Sequence, residues 1–167
     1  MTMSPHTAAR SLAVLPTHAR VWVYKSAEPF GAERRAAIDA RASAFVATWS
    51  AHNVPLDAWA GTLHDHFLVI AVDQEQAAAS GCSIDKSVRL VQDLERDLGL
   101  RLTDRMVVLY EQDGEVHATT VEQLPALLKM GALTGDTLVF DDLVSTKGDL
   151  DRRFRVHLRA TWMARHL

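Results

Sequence analysis

Phe67-Leu68-Val69-Ile70-Ala71-Val72 is an unbroken apolar run, closed by Asp73 and preceded by the polar triplet His64-Asp65-His66. Six residues are short for a globular helix, and no position in the run is polar. Neither face of the strand it predicts can meet solvent. The run therefore predicts an interior strand of a sheet covered on both sides. Upstream, the polar-interrupted stretch from Leu56 predicts a partner strand that meets it near His64-Asp65.

Further towards the N-terminus, Val21-Trp22-Val23-Tyr24 predicts a buried strand ending at Ser26 and Pro29. Between Gly31 and His52, Ile38, Ala42, Phe45, Val46 and Trp49 recur at helical spacing, and Asn53 and Pro55 stop the helix. Towards the C-terminus, Ile84, Val88, Val91, Leu94 and Leu98 predict a second helical face ended by Gly99, and Met106–Tyr110 predicts a further strand. Strand, helix, two strands, helix, strand is the order of a ferredoxin-like βαββαβ sandwich of the α+β class.

A C-terminal ββαβ/helix extension follows. Asp113-Gly114 is a hairpin signal, and Val116–Thr120 is the returning strand. Thr120 and Gln123 have capping-box spacing before a short helix running through Lys129 to Gly131, and Thr137–Phe140 is one more strand. From about Lys147, Leu150, Phe154, Leu158, Thr161 and Trp162 share one side of a terminal helix, with Arg152, Arg155 and Arg159 on another. Residues 1–18, interrupted by Pro5 and Pro16, are expected as a loose tail. Residues 19–167 are expected as a single domain, with 111–167 as an extension packed on it.

Eighteen basic against twenty-one acidic residues give a net charge of −3, so no global cationic field recruits nucleic acid or anionic lipid. The lone Cys82 cannot form an intramolecular disulfide, and no stretch reaches the length of a membrane span. A cytoplasmic setting fits, with no membrane partner.

Three stretches resemble a small family of uncharacterised bacterial proteins often labelled ABC transporter ATPases. They are Phe67-Leu-Val-Ile-Ala-Val-Asp73 with Ala79-Ser-Gly-Cys-Ser-Ile-Asp-Lys-Ser-Val88, then Thr137-Leu-Val-Phe-Asp-Asp-Leu-Val-Ser-Thr-Lys147, then Ala160-Thr-Trp-Met-Ala-Arg-His166. The resemblance brings no established activity. ATP turnover is not expected: a Walker A loop wraps phosphate with glycine amides, and here Ser80 and Asp85 stand where those glycines belong, although Lys86-Ser87 is kept. Residues 110–140 weakly resemble GYF-like modules, whose aromatic residues grip proline-rich peptides; Tyr110 and Phe140 are the aromatic residues available here.

The candidate site is the turn into the Ile84 helix, with Ser80, Gly81, Cys82, Ser83, Lys86 and the preceding Asp73. Hydroxyls, free amides and Lys86 at a helix start can receive negative charge without any chemistry. The expected function is thus a noncatalytic module that binds a small anionic ligand or a protein partner there, with no cofactor. One alternative is a thiol-dependent enzyme using Cys82, activated by the helix terminus. The blander role for Cys82, and the favoured one, is a small buried residue at a strand-to-helix corner. The other alternative is a peptide- or protein-interaction module using residues 110–140. His64 and His66 have the alternate spacing of half a zinc site, without an identifiable third ligand, so no metal is expected. The basic C-terminal segment could attract phosphate, but the acid-rich stretch from Glu111 to Asp142 offers its arginines partners within the protein.

Overall fold

The structure is a computed structural model and describes residues 11–75 and 77–167. The elements run β1 (Arg20–Lys25), α1 (Gly31–Thr48), β2 (Ser50–Ala51), β3 (Val54–Pro55), β4 (Asp57–Leu63), β5 (Phe67–Asp73) and α2 (Gly81–Leu98). They continue with β6 (Val107–Gln112), β7 (Glu115–Thr120), α3 (Leu124–Lys129), β8 (Leu138–Phe140), α4 (Lys147–Arg153) and β9 (Arg155–His157). The protein is mixed α+β, and every strand pairing is antiparallel.

The run that opened the sequence reading is β5, the middle strand of a sheet ordered β1-β5-β4. Its six apolar side chains divide by the two-residue period of a strand. Leu68, Ile70 and Val72 pack with Ile38, Ala42 and Val46 of α1 and Val91 and Leu94 of α2. Phe67, Val69 and Ala71 face the other way and join Val107 and Leu109 of β6 and Phe140 of β8. Helices therefore cover one face and a second sheet, ordered β7-β6-β8-β9, covers the other. The far side of that second sheet packs Val108 and Val139 against Leu124, Leu158 and Met163. Each such large side chain contributes about 1.5–3 kcal/mol on leaving water.

The four-stranded ferredoxin-like sheet expected from element order is not formed. The strand expected to complete it is β6, which pairs with β7 and β8. Local pairing wins because Asp113 (φ 55) and Gly114 (φ 77) make a two-residue hairpin turn that sets Gln112 against Glu115. The free edge of β1 is instead held at its ends: Lys25 N–H donates to the Leu102 carbonyl (3.2 Å) and Val21 N–H to that of Ser145 (2.9 Å). Between them lies a groove of about 410 Å³, where Lys25 is neutralised by Asp142 at 2.7 Å.

Three smaller expectations also change. The terminal helix expected from Lys147 through Trp162 ends at Arg153, because Arg155–His157 pairs with β8 and the Arg155 guanidinium grips Glu111 through two 2.6 Å hydrogen bonds. No glycine or proline marks that break. Of the expected loose tail, residues 1–10 lie outside the described residues, whereas Leu15 is buried and Leu12 packs beside it in the cluster between the sheets. The first helix stops at Thr48, short of His52, because Ser50–Ala51 and Val54–Pro55 form a small hairpin through His52 and Asn53, both at positive φ.

Candidate functional site

Ser80 is the N-cap of α2: its Oγ accepts from Ser83 N–H at 3.2 Å, while the Ser83 hydroxyl donates to the Ser80 carbonyl at 2.8 Å. The first satisfies an amide donor that a helix start leaves open; the Ser80 carbonyl also accepts from Ile84 N–H at 2.9 Å, the first bond of the helix. Trp49 follows the last turn of α1 and is only 2% exposed; its Nε1–H donates to the Ser83 carbonyl at 2.8 Å. This bond joins the end of α1 to the start of α2. It also explains why the buried face of α2 is Ser83, Ser87, Leu90, Val91 and Leu94, and not the stripe the apolar residues alone suggest. Val88, expected inside, is 39% exposed.

The predicted site residues do not converge on one turn. Ser80 is half-buried and Ser83 buried in the cap, whereas Gly81, Cys82 and Lys86 are exposed. Cys82 thus departs from its expected burial; it is an exposed free thiol. The reason is rotational: Ser83 and Ser87 take the inward face, which turns their neighbours at 82 and 86 outward. Asp73 belongs elsewhere: its Oδ1 lies 3.3 Å from His18 Nε2 and accepts from Glu75 N–H at 3.0 Å.

Cys82, Lys86 and Arg89 have i, i+4, i+7 spacing and so share one face of α2. Lys86 and Arg89 line a groove of about 300 Å³ with Phe45, Thr48, Trp49 and Asp93. Asp93 is engaged by Arg96 at 3.1 Å, and among the described residues neither Lys86 nor Arg89 has an ion-pair partner. The groove therefore offers two unneutralised cations beside the half-buried ring of Phe45, which packs on buried Trp49 with ring centroids 5.0 Å apart. Sequence reasoning missed Arg89. Its spacing from Lys86 was readable, but the ring supplied by α1 was not.

The other sequence candidates resolve into structural roles. His64 and Asp65 form the turn between β4 and β5 at positive φ, and buried His66 places Nδ1 2.9 Å from the Ser26 carbonyl. His64 packs on Phe140 at 4.9 Å; burial, then the nearby Arg155 charge, hold its imidazole below its ordinary value against the opposing pull of Glu111. Phe140 is 3% exposed between the sheets, while Tyr110 stacks on His117 at 5.5 Å, so the two aromatic residues of the GYF-like stretch do not make one open surface. The C-terminal arginines find acids: Arg153 meets Asp141 at 3.2 Å, Arg155 meets Glu111, and Arg159 meets Asp136 at 2.8 Å.

These features define a mixed α+β protein whose exposed, unpaired cations sit in a groove between two helices. Compared with known protein families, curated proteins and solved structures, the chain gives no match. Among the described residues, no helix is long and apolar enough to cross a membrane.

Proposed function

We propose that the protein is a noncatalytic module that binds a small anionic ligand in the groove between α1 and α2. The observation that carries this reading is the pairing of Lys86 and Arg89, both without an acidic partner among the described residues, with the half-buried ring of Phe45 backed by buried Trp49. Two cations favour a carboxylate or phosphate, and Arg89 can hold either through two parallel hydrogen bonds. The accessible part of the Phe45 ring favours a ligand with a flat apolar part. The Ser80 to Lys86 turn contributes Lys86 directly, and the cap at Ser80 fixes the start of the helix that carries it.

The thiol reading is the alternative. Exposed Cys82 lies one turn before Lys86 on the same face of α2. No hydrogen bond joins Cys82 to a base among the described residues, which weighs against catalysis. We further propose kinship with the uncharacterised bacterial family that the three sequence stretches resemble and a reducing cytoplasmic setting for the exposed thiol.

The test uses phenyl phosphate and inorganic phosphate as probes in calorimetric titrations of the full chain. Phenyl phosphate is expected to bind more tightly than phosphate. Lys86→Ala and Arg89→Ala should each weaken it about tenfold, the loss expected for one charged hydrogen bond, while Cys82→Ser leaves it unchanged. Binding indifferent to both cation variants, or no saturable binding at millimolar probe, overturns the proposal. Loss of binding confined to Cys82→Ser moves the thiol reading to the front.

A further inference from the structure

We propose that His18, Asp73 and Glu75 form a binding site for one divalent transition-metal ion, with Zn²⁺ the best-fitting class. One ligand atom from each residue lies within 4.8 Å of the other two. His18 Nε2 stands 3.3 Å from Asp73 Oδ1 and 3.9 Å from Glu75 Oε2. Both separations lie within the reach of an ion pair, N···O up to about 4 Å, and both exceed the about 2.7–2.9 Å of a charge-assisted hydrogen bond. They suit donors converging on a common centre: with metal–ligand bonds of about 2.0–2.2 Å, neighbouring ligands of a tetrahedral ion stand about 3.4 Å apart.

The donor set has the matching chemistry. Two carboxylates balance a divalent charge, and an imidazole nitrogen selects a borderline ion such as Zn²⁺ over Ca²⁺ or Mg²⁺, which take oxygen ligands. The backbone under the donors is held before any ion arrives. Asp73 ends the central strand β5, opposite Asp57 of β4. His18 is clamped on both sides: the Thr17 carbonyl accepts from Gly148 N–H and the Ala19 carbonyl from Lys147 N–H, each at 2.8 Å. Asp73 is 13% exposed, whereas His18 is 59% and Glu75 73% exposed. One ligand thus sets the depth of the site and two stand at its rim, which leaves coordination positions open to water or an exogenous anion. Such a site differs from the closed four-ligand zinc centres that hold a fold together. The sequence conceals the triad, because His18 and Asp73 stand 55 positions apart, and only the pairing of β1 with β5 brings them together.

The site is independent of the Lys86 and Arg89 groove, and its test uses Zn²⁺ alone. The full chain, carrying Cys82→Ser so that the thiol cannot ligate, is stripped with chelator and titrated against a chromophoric zinc indicator. One equivalent of Zn²⁺ is expected to bind. His18→Ala and Asp73→Asn should each weaken it by at least the roughly tenfold to hundredfold that loss of an outer-shell partner costs, and Glu75→Gln should weaken it less. His52→Ala, which alters an exposed histidine in a separate turn, should leave it unchanged. Cobalt supplies a second measurement: visible absorption of the bound ion should vanish in His18→Ala. Far-UV circular dichroism shows whether each variant is folded, and Asp73→Asn keeps the shape of the side chain should alanine fail at a site. Absence of saturable binding at tens of micromolar, or equal binding in folded His18→Ala and Asp73→Asn, overturns the proposal.

Discussion

His64 shows how one residue reads differently alone and in place. In sequence it is half of a possible metal pair with His66; in the fold it is the first residue of a tight turn, lying over Phe140 with Phe154 6.1 Å away. Burial and the Arg155 charge favour its neutral form, so its folded-state value is depressed from an ordinary value of about 6.5. The sign follows from proton uptake: the unfolded chain binds this proton more readily. The stability His64 contributes is therefore present above about pH 6.5 and is lost as pH falls through the depressed folded value. Glu111, held low by its hydrogen bonds from Arg155, acts in the same direction at lower pH, with its contribution lost as pH falls below about 4.5. Urea midpoints measured between pH 7.5 and 5 should decline in the native sequence and decline less in His64→Gln. Identical slopes for the two would refute the account.

At the scale of an element, α2 has its ends set by two residues whose roles can be separated. Ser80 caps the start through Ser83 N–H, and Gly99 ends the helix at φ +64 with no atom within 4 Å of where a Cβ would stand. Ser80→Ala should cost about 1 kcal/mol by leaving an amide unsatisfied. Gly99→Ala should cost a similar amount, about 1 kcal/mol, through backbone conformation alone, since nothing there would collide. Equilibrium urea denaturation measures both, and Gly99→Asn, which tolerates the left-handed region better, should recover part of the loss. A neutral Gly99→Ala would show that the αL cap does not set the end of α2. The Gly99 stop was legible in sequence, and the N-cap was narrowed to Ser80 or Ser83, because capping is local chemistry. The rotation of the helix was not, because it depends on Trp49 reaching the Ser83 carbonyl from another element.

Across the whole molecule, the two sheets share one core. Phe67 of β5 is fully buried against Phe140 of β8 at 5.0 Å and Phe154 at 4.9 Å, so it packs the first sheet onto elements from the C-terminal part of the chain. Phe67→Ala should cost about 3–5 kcal/mol, the range for deleting a large aromatic from a packed interior. Because the ring serves both layers, the native protein should unfold in one cooperative transition, with near-UV and far-UV signals coincident. Two separate transitions, with Phe67→Ala shifting only one, would mean that the sheets are independent units.

The sequence by itself determined what hydrophobic period and local turn chemistry can specify. Six apolar residues in a row demanded a strand buried on both faces, Asp113-Gly114 demanded a hairpin, and Gly99 closed a helix that starts at Ser80 or Ser83. It did not determine which strands share a sheet. The expected fourth strand and the strand actually built, β6, are nearly the same residues; only competition between its hairpin partner and the distant edge of β1 decided where they pair. The site divided in the same way. Lys86 stood out because its place after a capped helix start is local, whereas the Phe45 ring beside it, the outward turn of Cys82, and the meeting of His18 with Asp73 and Glu75 are long-range consequences of packing. Those contacts join residues far apart in the chain, so no sequence window contains both partners, and tertiary structure alone could decide them.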